Sequence, residues 1–149
     1  MIHETQKDRD REMVVGEKLR VEMGYARFCR SKHLEHYDLY FLDGEGNCKG
    51  FCEIKCRSSR KFGDKPFNYM DFSKWKWLMY YELYLSMPCW FIAVYEDGIY
   101  AVRISGLPLH HTPIRQMGRV DRITDDVELA MKIDNVHFVR MCDSEGVFK

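Results

Sequence analysis

Asp38, Glu53 and Lys55 place two hard oxygen donors and an ammonium within a short stretch of chain. Residues 37–42 and 48–57 are β-rich, and Asp43-Gly44-Glu45-Gly46-Asn47 between them is a cluster of turn formers, which predicts a hairpin. In its second strand, Glu53 and Lys55 share a face while Cys52, Ile54 and Cys56 point the other way. With a four-residue loop at 44–47, residue 43 pairs with 48 and the register carries Asp38 opposite Glu53. Two carboxylates side by side repel unless a cation lies between them. Such ligands suit Mg²⁺ or Mn²⁺ with several waters retained. Lys55 would add an ammonium beside an attacking water and the charge that develops on a phosphorane.

The bland alternative is a solvated hairpin face with an ion pair contributing roughly 0–1 kcal/mol. Against it, Leu39, Phe41, Phe51 and Ile54 are apolar on both parities, so the hairpin is expected to be buried on both sides, where a charged trio needs a reason. Asp43 is the rival carboxylate, but in an Asp-Gly pair it reads as a turn residue.

Downstream, Lys55, Arg57, Arg60, Lys61 and Lys65 face only Asp64 within residues 55–65. Taken alone this is an exposed loop; beside a phosphate-cleaving site it predicts sequence-independent, salt-sensitive backbone contacts. His36, which the same register sets opposite Lys55, is a further candidate phosphate contact. Phe62 and Phe67 read as packing beneath the second helix rather than stacking on bases. Cys48, Cys52 and Cys56 recur every four residues, but on a strand Cys52 and Cys56 lie about 13 Å apart, too far for one zinc or a disulfide. They read as small buried residues. His33 with His36, and His110 with His111, fit no zinc spacing.

The elements that must position these residues follow from periodicity. Residues 4–23 are helix formers, with Val15, Leu19 and Met23 every four residues and Gly24 just past the end. A short strand at 25–30 precedes a polar loop and the hairpin, and residues 58–66 form a loop. Asp71 or Ser73 caps a second helix with Phe72, Trp75, Met79 and Leu83 on one face, ended by Pro88. Trp75 and Trp77 read as core and helix-packing rings. The apolar run 90–95 suits a strand buried on both faces, and Asp97-Gly98 turns it into 99–104. The tail is loop-like around Pro108 and Pro113 and ends in an alternating strand at 127–133.

Composition bounds the rest. A chain of 149 residues with 9 Tyr, 9 Phe, 9 Met and 3 Trp has the bulk for one globular domain, 1–149. No apolar run is long enough to span a bilayer, and residues 1–11 are charged where a signal peptide would be apolar. Six cysteines do not make a secreted scaffold, so reduced thiols in a cytoplasmic protein are expected. The formal net charge of zero says nothing against nucleic acid, whose footprint is local.

At Asp38 and Glu53-Ile54-Lys55, separated by fourteen residues, the sequence resembles the PD-(D/E)xK, or restriction-endonuclease-like, nuclease superfamily. The order helix, three strands, helix, strand over residues 4–95 matches the family core, and Tyr37 stands where the name-giving Pro would be. The resemblance implies an α/β core with a mixed central sheet (about 4–104) and a C-terminal strand extension (105–149). It also implies Mg²⁺ (or Mn²⁺) held by Asp38, Glu53 and the carbonyl of Ile54, with Lys55 orienting or activating water. A Glu from the first helix joins the site in many members; Gly16-Glu17 is chosen for that position, with Glu12 and Glu22 competing. Glu22 lies nearer the Val15 and Leu19 face. The best match to a Gln-x-x-x-Tyr element of some branches is Lys76 with Tyr80, lacking the Gln. Gly118-Arg-Val-Asp-Arg, Asp125-Asp-Val-Glu and Phe138 resemble the end of small phage nuclease-like proteins. The implied activity is Mg²⁺-dependent hydrolysis of phosphodiester bonds in DNA, with DNA and no membrane as partner. A non-catalytic nucleic-acid or protein-binding module of the same fold is the alternative. A homodimer, paired through the C-terminal strand, stays open.

Overall fold

A computed structural model of the protein describes residues 5–32, 36–107, 114–118 and 127–149. Helix α1 (Gln6–Met23) begins at a capping box, in which the Asp8 amide donates to Thr5 Oγ1 and the Thr5 amide to Asp8 Oδ2. It ends at Gly24, whose φ of 77° is the left-handed conformation a helix stop requires. The strands β1 (Arg27–Arg30), β2 (Leu39–Leu42) and β3 (Cys48–Cys56) form an antiparallel meander. After a 3₁₀ turn at Phe62–Asp64, β4 (Phe67–Asp71) runs directly into α2 (Phe72–Leu85). Then come β5 (Cys89–Tyr95), parallel to β3, and β6 (Gly98–Arg103), antiparallel to β5. The chain closes with β7 (Ile114–Gly118), β8 (Val127–Asp134) and β9 (Val139–Cys142).

The central sheet is mixed, as expected, with order β1-β2-β3-β5-β6-β9. One face, carrying Leu39, Phe41, Cys52, Ile54, Ile92 and Val94, is covered by α1 through Val15 and Leu19. The other, carrying Phe51, Phe91, Ala93 and Tyr95, is covered by α2 and a small antiparallel sheet of order β4-β8-β7. The alternation of the strands therefore separates the molecule into two cores, and β5 is buried on both faces because it lies between them. Glycine 16 lets α1 sit close: a Cβ there would stand 2.5 Å from the Phe28 ring and 3.0 Å from Leu39.

Three strands went unread in the sequence: β4, β7 and β9. The 127–133 strand exists as the middle strand of the small sheet, paired with β4 on one side and β7 on the other, so it offers no free edge. The second helix also turns differently. Leu83 is 68% exposed; the buried residue is Leu78, and the Glu82 side chain is only 4% exposed. Glu82 Oε1 accepts from both Arg103 and the Cys89 amide, while its Oε2 is buried without a partner. Residues 33–35, 108–113 and 119–126 lie outside the described residues, and with them His33, the His110 and His111 pair, and most of the phage-like tail motifs.

Candidate active site

The hairpin differs from expectation at its tip and agrees at its base. Leu42 pairs with Cys48, giving a five-residue loop in which Asp43 accepts the amides of Glu45 and Asn47, so Asp43 is a turn residue. By itself that loop would shift the register by one residue and put Asp38 on the wrong partner. A bulge at Lys49, between the pairs Phe41↔Gly50 and Leu42↔Cys48, takes up the extra residue. The ladder then runs to Leu39↔Cys52, and Asp38 follows on, its amide donating to the Cys52 carbonyl at 2.8 Å.

Because β2 begins only at Leu39, the Ile54 amide on that side of β3 has no strand partner. It donates instead to Asp38 Oδ2 at 2.7 Å. That bond fixes the Asp38 carboxylate beside Glu53. Glu53 is 7% exposed, and burial, reinforced by the Asp38 charge, holds its carboxyl well above the usual carboxylate range. One oxygen, Oε1, accepts from Nζ of Lys74 at 2.6 Å; the other, Oε2, is buried and accepts no hydrogen bond.

Lys74 is the residue that sequence reasoning missed. It is the third residue of α2, after the N-cap Asp71 accepts the Ser73 amide. A cation in the first helical turn opposes the macrodipole, and that misplaced charge was the available signal. Lys76, the sequence-based match on this helix, is exposed, as is Tyr80. Lys55 lies on the Glu53 side of β3 by alternation, level with Ala93 of β5, and is solvent-accessible.

Helix α1 turns the chosen glutamate away from the hairpin. Glu17 is exposed, its carboxylate held by both Arg20 nitrogens at 2.6 and 2.9 Å. Glu22 is exposed as well. Glu12 is one turn before the buried Val15 and two before Leu19; its side chain is only 16% exposed and pairs with Arg30 at 2.9 Å. Arg30 pairs with Leu39 of β2 and the Ser31 amide donates to the Asp38 carbonyl, so Glu12 lies towards the Asp38 end of the sheet. Among the described residues, no group of three or more His, Cys, Asp or Glu has the geometry of a metal cage.

The remaining candidates separate. Arg57, Arg60, Lys61 and Lys65 line one pocket with Asn68 and Tyr95. The His36 ring instead stacks on Trp77 of α2, centroids 4.2 Å apart, and Trp77 is itself partly exposed. Phe62 stacks on Tyr100 at 3.8 Å, against β6 rather than under α2. The six cysteines are free, and burial pushes the Cys56 thiol to about 11 and the Cys89 thiol to about 12, so neither is a thiolate near neutrality.

The donor set fits a hard dication. Asp38 and Glu53 present adjacent hard oxygens, and the buried Glu53 Oε2 lacks a partner. A mixed sheet with a hairpin crossing into a parallel strand defines a restriction-endonuclease-like fold. Residues 1–141 match the family described as phage putative PDDEXK endonuclease, and the chain belongs to that family, a nuclease family. Among solved structures it is similar to Hjc, a Holliday junction resolvase from the archaeal hyperthermophile Archaeoglobus fulgidus. The TM-score is 0.52 at 11% identity over 92% of this chain and 93% of that one, a likeness of fold. No curated protein matches. No described helix is long and apolar enough to cross a membrane.

Proposed function

We propose that this protein hydrolyses phosphodiester bonds in DNA with Mg²⁺ or Mn²⁺ as cofactor. The single observation that carries the reading is the partnerless, buried Glu53 Oε2 beside the Asp38 carboxylate. A protein that needed only a stable fold would gain by removing such a pair. The Asp38 and Glu53 carboxylates and the Ile54 carbonyl would hold the ion, with Glu12 the helix acid turned towards the Asp38 end of the sheet. When bound, a divalent ion acidifies a water and neutralises charge on the phosphoryl oxygens.

The chain's own groups do the rest. The Ile54 amide fixes Asp38, and Lys74 fixes Glu53, so both acceptors are oriented before substrate arrives. Lys55, accessible on the same face, orients the attacking water and places an ammonium where negative charge grows during displacement at phosphorus. Lys74 is bonded to one Glu53 oxygen only, so Glu53 Oε2 and the Asp38 carboxylate still offer adjacent hard oxygens to a dication. That pair of oxygen donors favours a metal enzyme over a non-catalytic module.

The test combines calorimetry with cleavage of duplex, single-stranded and branched DNA in Mg²⁺, Mn²⁺ and EDTA. Metal-dependent cleavage, absent from a mock purification, is the expected result. Metal binding without cleavage of any of these would favour the binding module.

A further inference from the structure

We infer that the pocket at the C-terminal end of β3 is a seat for one phosphate of the substrate strand, at a fixed offset from the bond that is cut. The inference rests on the nuclease reading for the identity of that strand.

The pocket, about 190 Å³, takes its walls from Arg57, Arg60, Lys61 and Lys65 and its floor from Asn68 and Tyr95. Its composition reads as a flexible loop, yet the structure pins it from several sides. The Arg57 amide continues the ladder to the Val94 carbonyl at 2.8 Å, and the Glu96 amide donates to the Arg60 carbonyl at 2.9 Å. The Phe62 amide donates to Asp97 Oδ1 at 3.0 Å. Below, the Tyr95 hydroxyl donates to Asn68 Oδ1 at 2.5 Å and Asn68 Nδ2 to Asn135 Oδ1 at 2.8 Å. Asn135 Nδ2 in turn donates to the carbonyls of Phe62 and Lys65, at 3.0 and 2.7 Å.

So the backbone that carries these cations is held in place. Among the described residues, none of these four side chains is in an ion pair. The one carboxylate at the pocket, Asp64, has its Oδ2 engaged by the Lys61 amide at 2.8 Å. Four converging cations repel one another until an anion arrives, and guanidinium forks match phosphate oxygens. The volume suits a phosphate with a few waters of ~30 Å³ each.

Position supplies the identity. Tyr95, Ala93 and Phe91 share the face of the sheet that carries Glu53, and Arg57 follows Glu53 and Lys55 on the same parity. Arg57 stands four positions on from Glu53 and extends the β3 ladder, roughly 13 Å away at strand rise. At a rise of ~3.4 Å per nucleotide in a strand, the seated phosphate lies within about four nucleotides of the cut.

The experiment scans duplexes that each carry one uncharged methylphosphonate. Binding is measured by fluorescence anisotropy in EDTA for the wild type and for Arg60→Gln/Lys61→Gln, both positions exposed, and cleavage sites are mapped in Mg²⁺. One position within about four nucleotides of the cut should weaken wild-type binding by about tenfold. The double variant should lose that dependence alone. An even wild-type profile, or the same peak in the variant, overturns the inference while cleavage leaves the nuclease reading intact. A peak at one phosphate without cleavage in Mg²⁺ supports the seat and overturns the nuclease reading.

Discussion

Nζ of Lys74 stands 2.6 Å from Oε1 of Glu53, joining the first turn of α2 to the middle of β3. The ammonium sits where the helix dipole disfavours a cation, and the carboxylate sits where burial disfavours an anion. Each offsets the other's cost, so the position of α2 and the state of the acidic pair are coupled.

That coupling predicts the effect of Lys74→Gln. Without the ammonium, the carboxyl of Glu53 moves further up, and Mg²⁺ binding at neutral pH weakens. Affinity should recover as pH rises, because the metal then no longer competes with a proton. Calorimetry across pH 6–9 checks it; a loss of affinity that is the same at every pH would mean that Lys74 only packs.

Glu53 itself makes the metal-free protein pH-sensitive. Its folded pKa lies above the unfolded value of ~4.3, so the folded state holds the extra proton. The associated stability is complete below the unfolded pKa and is lost as pH rises through the folded one. Thermal melts in EDTA should therefore fall over this window, and Glu53→Gln should flatten that slope. Identical slopes in the two proteins would contradict it.

The acidic pair should also control the metal. Asp38→Asn and Glu53→Gln are expected to reduce Mg²⁺ affinity by about tenfold or more, since neutral amides are poor partners for a hard dication. Cleavage should drop with it. Isothermal titration against the wild type is the measurement, and unchanged affinity in both variants would place the metal elsewhere.

Lys55→Ala separates water activation from metal binding. Turnover should fall by roughly 10²–10⁴ with Mg²⁺ affinity nearly intact. Wild-type turnover in this variant would remove Lys55 from the chemistry.

Gly16→Ala sets two effects against each other. Alanine favours a helix by about 1 kcal/mol over glycine, but here its Cβ would meet the Phe28 ring at 2.5 Å and Leu39 at 3.0 Å. Overpacking of this kind costs about 1–3 kcal/mol, so a net loss of up to about 2 kcal/mol is expected in chemical denaturation. A stabilised variant would mean that α1 moves away from the hairpin without cost.

The sequence by itself determined the hairpin, the parity that puts Glu53 and Lys55 on one face, the two helices and the doubly buried β5. Period-two and period-3.6 patterns are local, and turn formers at 43–47 and 97–98 mark where they break. Three matters were decided only in three dimensions. The register that brings Asp38 to Glu53 depends on the bulge at Lys49, which compensates for a loop one residue longer than expected. The orientation of the helix acids depends on the docking of α1 on β1 and β2, with Gly16 against Phe28, which turns Glu17 to solvent and Glu12 towards Arg30. Lys74 reaches Glu53 because β4 pairs with β8, more than fifty residues later, and so holds the start of α2 over β3. Pairing across that distance leaves no trace in local periodicity; it follows from which faces bury each other when the two sheets pack.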